Sequence, residues 1–203
     1  MSLPSAFPTV THPTVTVPGQ TAAPTIPDTS EPTPAADCPT PATGQLTDGT
    51  ITVTMPASWK QELQASISWS DCFSLGDRAV VTNWMTSAIV AHYPADGGTS
   101  RQVAQAVWTW NVENNYEGGT SNATITGNKV TSQAVVTVGG KAGYKMSGQV
   151  TISGLAGVSG DDVTILVLEN ADESHSILLT TSVIGDAASK AEVDALWASV
   201  KVG

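Results

Sequence analysis

Positive charge is scarce in this chain: 8 Lys and Arg stand against 18 Asp and Glu in 203 residues, a net charge of −10. The eight are scattered from Lys60 and Arg78 to Lys190 and Lys201. A phosphate backbone is bound by clustered Lys and Arg, so nucleic acid is excluded as a partner, and the same deficit speaks against an anionic membrane surface. No run of about eighteen apolar residues exists to span a bilayer, and no signal-peptide core is present. Cysteine is limited to Cys38 and Cys72, with no C-x-x-C and too few thiols for a zinc site. Histidine occurs three times, Phe twice and Tyr three times, which makes six Trp the unusual entry in the composition.

Proline is abundant but confined. Ten of the twelve prolines fall within residues 1–44, where Thr, Ala and Ser fill most gaps. That composition buries too little apolar surface to offset the entropy of ordering, so residues 1–44 are expected to form a solvated tether of polyproline II character. Residues 45–203 are expected to form one domain. They carry 15 acidic against 8 basic residues, a charge of −7. Met1-Ser2-Leu3 reads as an artificial start, which leads to the expectation that a signal or anchor segment has been removed upstream and that the protein is exported or tethered to a membrane.

The domain is organised around residues 130–184. VTSQAVVTV, KAGYKMSGQVTIS, DDVTILVLEN and SHSILLTTSVI read as four consecutive antiparallel strands. Tyr144, Met146, Val150 and Ile152 alternate with polar residues, as on a strand with one wet face. Val163, Ile165 and Val167 oppose Leu166 and Leu168, and Ile177 and Leu179 oppose Leu178, so both faces of these strands need cover. Upstream, Ile51, Val53 and Met55 mark a strand ended by Pro56, with further strand candidates over 66–69, 78–83 and 86–92. Thr99 and Gln102 have capping-box spacing ahead of the helical stripe Val103, Ala106, Val107 and Trp110, which Gly118-Gly119 would end. Ser189 and Glu192 repeat that spacing before Val193, Leu196, Trp197 and Val200. The expected fold is α+β: a single antiparallel β-sheet with helices packed on both faces. An all-β sandwich is the competitor, and it would have to account for two capping boxes.

Signatures of catalysis are sparse. Gly157-Val158-Ser159-Gly160 lacks the spacing of a nucleophile elbow, and H-E-x-x-H and S-x-x-K motifs are missing. His12 lies in the tether, His92 at a strand end, and His175 in an acidic hairpin with Asp172 and Glu173. That hairpin could hold a metal or an acid/base pair if Asp161 and Asp162 came near, and otherwise is a solvated tip. Asp96-Gly97-Gly98 is a simple turn into a helix, and Asn122-Ala123-Thr124 is a lone sequon. No cofactor is implied. Trp69, Trp110 and Trp197 are expected in the core. Trp59, Trp84 and Trp108 are the candidate binding residues, suited to stacking on a sugar or anchoring a partner if two are exposed together. Cys38 and Cys72 would be free thiols in a reducing compartment. In an exported protein they would form a disulfide pinning the tether's end to the domain.

The strand leading into Pro56 and Trp59 in ITVTMPASW, the Gly139-Gly140 hairpin in GGKAGYKMSG and the closing amphipathic helix resemble the PsbP-like fold, most closely the actinobacterial exported lipoproteins of the LpqN type. The resemblance spans residues 45–203 and implies an α/β/α sandwich acting as a cell-envelope accessory or binding domain. It brings no catalytic residue with it. The functional expectation is therefore a non-catalytic domain of a secreted or membrane-tethered bacterial protein. Its partner would be an envelope protein, glycan or lipid, and the membrane would be reached only through a removed N-terminal segment. The alternative is an exported hydrolase or metal-dependent enzyme using His92 or His175 with nearby carboxylates.

Overall fold

The computed structural model describes residues 38–63, 67–95, 98–117 and 123–203. The tether up to Asp37, the Asp96-Gly97 break, the Gly118-Gly119 stop and Asn122 of the sequon lie outside the described residues. Among the described residues, ten strands and two α-helices follow in order: β1 (Gln45–Thr47), β2 (Ile51–Thr54), β3 (Lys60–Leu63), β4 (Cys72–Val81), β5 (Trp84–Tyr93), α1 (Ser100–Val112), β6 (Thr124–Val138), β7 (Lys141–Ser153), β8 (Gly160–Glu169), β9 (His175–Val183), α2 (Ala187–Ala198) and β10 (Lys201–Val202). Seven strands form one antiparallel sheet in the order β3-β4-β5-β9-β8-β7-β6, and β1-β2-β10 form a second sheet of three.

The single sheet expected from the sequence is thus corrected to two. The doubly apolar strands β8 and β9 sit at the middle of the large sheet and are covered on both sides. Val163, Ile165, Val167, Ile177 and Leu179 pack with α1 through Val103, Val107 and Trp108. Leu166, Leu168 and Leu178 pack on the opposite side with Val193 and Leu196 of α2, but also with Leu46, Ile51 and Val53 of the small sheet. A helix alone does not cover that side, and β2 supplies the remainder. Its partners are only three and two residues long, too short to show a period of two in the sequence.

The large sheet is not apolar over the whole of this second face. Ser147, Thr164 and Thr180 share one cross-strand row. Ser147 and Thr164 hydroxyls lie 3.1 Å apart, and Trp197 donates its indole N–H to Thr180 at 3.0 Å. Trp197 is therefore half-buried, with the Lys145 ammonium 4.3 Å above its ring.

α1 begins as its sequence implies. The Thr99 hydroxyl accepts from the Gln102 N–H, and the Gln102 carboxamide accepts from the Thr99 N–H. Its buried face includes Trp108, whereas Trp110 is half-buried and meets Trp69 edge-on at 5.5 Å. Gly148 makes room for this packing, because a Cβ there would collide with the Trp108 ring and the Lys129 carbonyl. The second helix starts three residues before the expected capping box. Asp186 is its N-cap, accepting from the Ala188 N–H, and Ser189 donates to Asp186 at 2.6 Å. Glu192 serves elsewhere, accepting from Ser58 at 2.7 Å, Trp59 at 3.2 Å and Arg78 at 2.8 Å. One carboxylate thereby ties α2 to β4 and to the turn after β2.

Candidate functional site

At one end of the large sheet, the β4–β5 hairpin, the start of β8 and the residues after α1 enclose a cleft of about 300 Å³. Each wall has a local cause. Asn83 closes the hairpin with φ 62°, a left-handed conformation that Asn tolerates better than most residues, and the chain then enters β5 at Trp84. Beyond Val112 the helix continues as a π-helical turn over Glu113–Glu117, which widens the spiral and sets Tyr116 over the sheet. β8 opens at Gly160 with φ +131°, where an added Cβ would strike the Val150 carbonyl. Asp161 follows on the same face as Val163, Ile165 and Val167.

These three elements converge on one carboxyl group. Asp161 is 3% exposed. Its Oδ1 accepts from the Trp84 indole N–H at 3.2 Å and its Oδ2 from the Tyr116 hydroxyl at 2.8 Å. The two rings meet edge-to-face, 5.7 Å apart. Among the described residues no Lys, Arg or His forms an ion pair with Asp161. Burial therefore dominates its titration: desolvation pushes the carboxyl from 3.8 up to about 6, against the pull of the Tyr116 and Trp84 hydrogen bonds and with a further push from Asp162. Tyr116 is driven well above its usual range, first by burial and then by the Asp161 charge. Leu75, Met85 and Ile89 supply apolar wall, and Asn83, Asn114 and Asn115 supply amides.

The candidate binding tryptophans separate in space. Trp59, Trp84 and Trp108 are all buried, and none offers the exposed platform that the stacking expectation required. Trp59 is held by Glu192, and Trp108 packs in the α1 face of the core. Of the three, Trp84 borders the cleft.

The histidines are also distributed. Asp161 and Asp162 sit at the opposite end of β8 from the hairpin of Asp172, Glu173 and His175, about 26 Å away at 3.3 Å per strand residue. The structure does not bring them together, and among the described residues no three His, Cys, Asp or Glu side chains group as a metal site. His175 is buried, edge-on to Tyr93. His92 pairs with Asp71 through Nδ1 and Oδ1 at 2.6 Å. The nearby Ser70 hydroxyl is directed to the carbonyls of Cys72 and His92, at 2.7 and 2.8 Å, and not to the imidazole. Beside this pair, Cys38 and Cys72 form a disulfide with Cα atoms 5.4 Å apart, joining the start of the described chain to β4.

Sequence reasoning considered Asp161 only as a partner for the distant hairpin. A usable signal was present: by the period of two, Asp161 belongs with Val163, Ile165 and Val167, so a carboxylate opens a strand face that is otherwise wholly apolar. Tyr116 carried no such signal, because the π-helical turn breaks the helical spacing.

No protein-family model matches the chain, and no curated protein matches it. Among solved structures, it is similar to the solution structure of cyanobacterial PsbP (CyanoP) from Synechocystis sp. PCC 6803. The identity is 16% over 84% of this chain and 99% of that chain, with a TM-score of 0.48. It is also similar to the crystal structure of LpqN, involved in cell envelope biogenesis of Mycobacterium tuberculosis, at 13% identity over 78% of this chain and 88% of that chain, TM-score 0.47. A Pseudomonas aeruginosa protein of unknown function matches at 14% identity over 72% of this chain and 85% of that chain, TM-score 0.38. The resemblance read from the sequence is to the first two of these. At such identities the likeness concerns the fold alone.

Proposed function

We propose that this chain is a non-catalytic binding domain of the bacterial cell envelope, acting outside the cytoplasm, with its ligand seated in the cleft of Trp84, Tyr116 and Asp161. One observation carries the reading. A buried carboxyl group is held by two neutral donors, and among the described residues no cation pairs with it, at the wall of an open cavity. Burying a charge without a partner is costly, and a Leu or Val at that position would be the cheaper way to finish the strand. The cleft is at the lower end of the size range of small-molecule sites, and its few convergent polar groups in an apolar wall have the make-up of such sites.

Binding is favoured over turnover by the titratable groups that line the cleft. Among the described residues that line the cleft, Asp161 and Tyr116 are the titratable pair, and Tyr116 is driven far above neutrality, so Asp161 is the one of them that titrates near physiological pH. The disulfide supports export, since such bonds persist in oxidising compartments, and the Pro/Thr-rich composition of residues 1–44 suits a tether. An envelope protein, a glycan or a lipid is the partner class. The competing reading, an exported hydrolase, is favoured by the His92–Asp71 pair. It lacks a hydroxyl on the imidazole, because Ser70 is committed to backbone carbonyls.

The test is a titration of the 15N-labelled protein with envelope lipids, glycan fragments, amines and alcohols, following the Trp84 indole N–H resonance. Movement of that resonance by at least one compound, reduced in Tyr116→Phe, is the expected result. A Trp84 resonance unmoved by every compound, together with a hydrolytic activity abolished by His92→Ala, would replace this reading with the enzymatic one.

A further inference from the structure

The chemistry of the same cleft narrows the ligand, on the assumption that the cleft binds one at all. Asp161 presents two carboxylate oxygens, each with one donor from the protein and remaining lone-pair capacity. Both protein donors are neutral, and the charge that acts on the carboxyl, Asp162 on the opposite face of the same strand, has the same sign. The site therefore holds an unbalanced negative charge in a poorly solvated wall. A neutral ligand would leave it unbalanced, and an anion would add to it. The amides of Asn83, Asn114 and Asn115 can accept as well as donate, so they too can serve an N–H-bearing group. The apolar wall of Leu75, Met85 and Ile89 suits a short aliphatic or ring stem. At about 300 Å³ the cleft is at the lower end of small-molecule sites, which suits a small molecule or a single side group.

We infer that the cleft recognises a primary ammonium group on a short stem, with Asp161 as its counter-charge and Tyr116 and Trp84 holding the carboxylate in place. The ammonium group supplies three donors and a full positive charge, the two things the site lacks. Tyr116 and Trp84 act as positioning residues.

The decisive probes are n-butylammonium and n-butanol, which share size and shape and differ in charge. Both are titrated into the intact protein while the Trp84 indole resonance is followed. The amine is expected to bind at least tenfold more tightly than the alcohol, and Asp161→Asn to abolish that preference. Lowering the pH from 7.5 to 5 should weaken amine binding in the wild-type protein about tenfold, because a carboxyl that titrates at about 6 is then about nine-tenths protonated. The pH arm and the alcohol arm use the unaltered chain, so they stand even if the variant folds poorly. Glucosamine and Nα-acetyl-lysine methylamide separate a sugar-borne amine from a peptide lysine as its source. Equal binding of amine and alcohol, or amine binding unchanged between pH 7.5 and 5, overturns the inference while leaving a binding cleft. A Trp84 resonance moved only by compounds without an amine does the same. A resonance moved by nothing removes the binding reading as well.

Discussion

Replacing Asp161 by Asn should make the protein more stable at neutral pH, a direction opposite to that of most buried substitutions. The folded state raises the carboxyl from 3.8 to about 6, roughly two pH units or about 3 kcal/mol of unfavourable free energy for the ionised form. Because the folded pKa lies above the unfolded one, the folded protein binds more protons between pH 3.8 and 6. Stability therefore falls as pH rises through that window, and the full cost is present above about 6. Asn has nearly the same shape. Its carbonyl can accept from Trp84, and its amide can donate to the Tyr116 oxygen once that hydroxyl turns. Some hydrogen-bond strength is lost in the exchange, so a net gain of about 2 kcal/mol at pH 7.5 is expected, about 4–8 °C in Tm for a domain of this size. At pH 4 the two proteins should be within about 0.5 kcal/mol of each other. Urea denaturation at each pH from 4 to 8 measures the difference directly. Carboxylates held below their usual range, such as Asp172 and Asp186, are common to both proteins and cancel. A variant less stable than wild type by the same amount at pH 4 and pH 7.5 would refute the reasoning, since the ionised carboxylate would then carry no cost.

Three further outcomes follow from the same contacts. Tyr116→Phe removes the donor to Asp161 Oδ2 and should raise the Asp161 pKa further, with a loss of about 1–3 kcal/mol at pH 7.5 seen in urea melts; an unchanged pKa would show that this bond does not act on the carboxyl. Reducing the disulfide, or Cys38→Ser with Cys72→Ser, opens a link across 34 residues and should lower stability by about 4 kcal/mol on the chain-entropy model, so an unchanged denaturation midpoint would remove the link from the stability account. Glu192→Ala unties α2 from Ser58, Trp59 and Arg78 at once, with an expected loss of about 1.5–3 kcal/mol and a shifted Trp59 indole resonance. A loss under 0.5 kcal/mol would mean that packing alone holds the helix.

The strong periodicities of this sequence were readable and the short or irregular elements were not. The block from 130 to 184 shows its strands because each is long enough for alternation to repeat. Both faces of β8 and β9 divide as read, with Val163, Ile165 and Val167 against Leu166 and Leu168. The Thr99–Gln102 box forms as its spacing implies. The Ser189–Glu192 spacing misled because Asp186, with a side chain equally suited to capping, lies three residues earlier and leaves Glu192 free to bind Arg78. β4 was obscured because Ser74 and Gly76 interrupt its apolar face. Gly76 in fact lies so close under Met55 of the segment after β2 that a Cβ would collide with it. The condition for a tryptophan platform, two of them exposed together, is not met for a related reason: an aromatic off the strict helical stripe, such as Trp108, can still be buried when a glycine on the facing strand makes space. The cleft depends on a π-helical turn, a hairpin tip and a strand start meeting in space, and none of those meetings leaves a periodic trace.

On the reading proposed above, Asp161 is a buried carboxylate kept for a ligand and not for the fold. Its 13Cγ resonance, followed from pH 3 to 9 without ligand and then with saturating n-butylammonium, tests this most directly. The expected midpoint is about 6 and moves toward the ordinary carboxylate range when the amine is bound. A midpoint at or below 3.8 in the free protein, insensitive to amine, would contradict it.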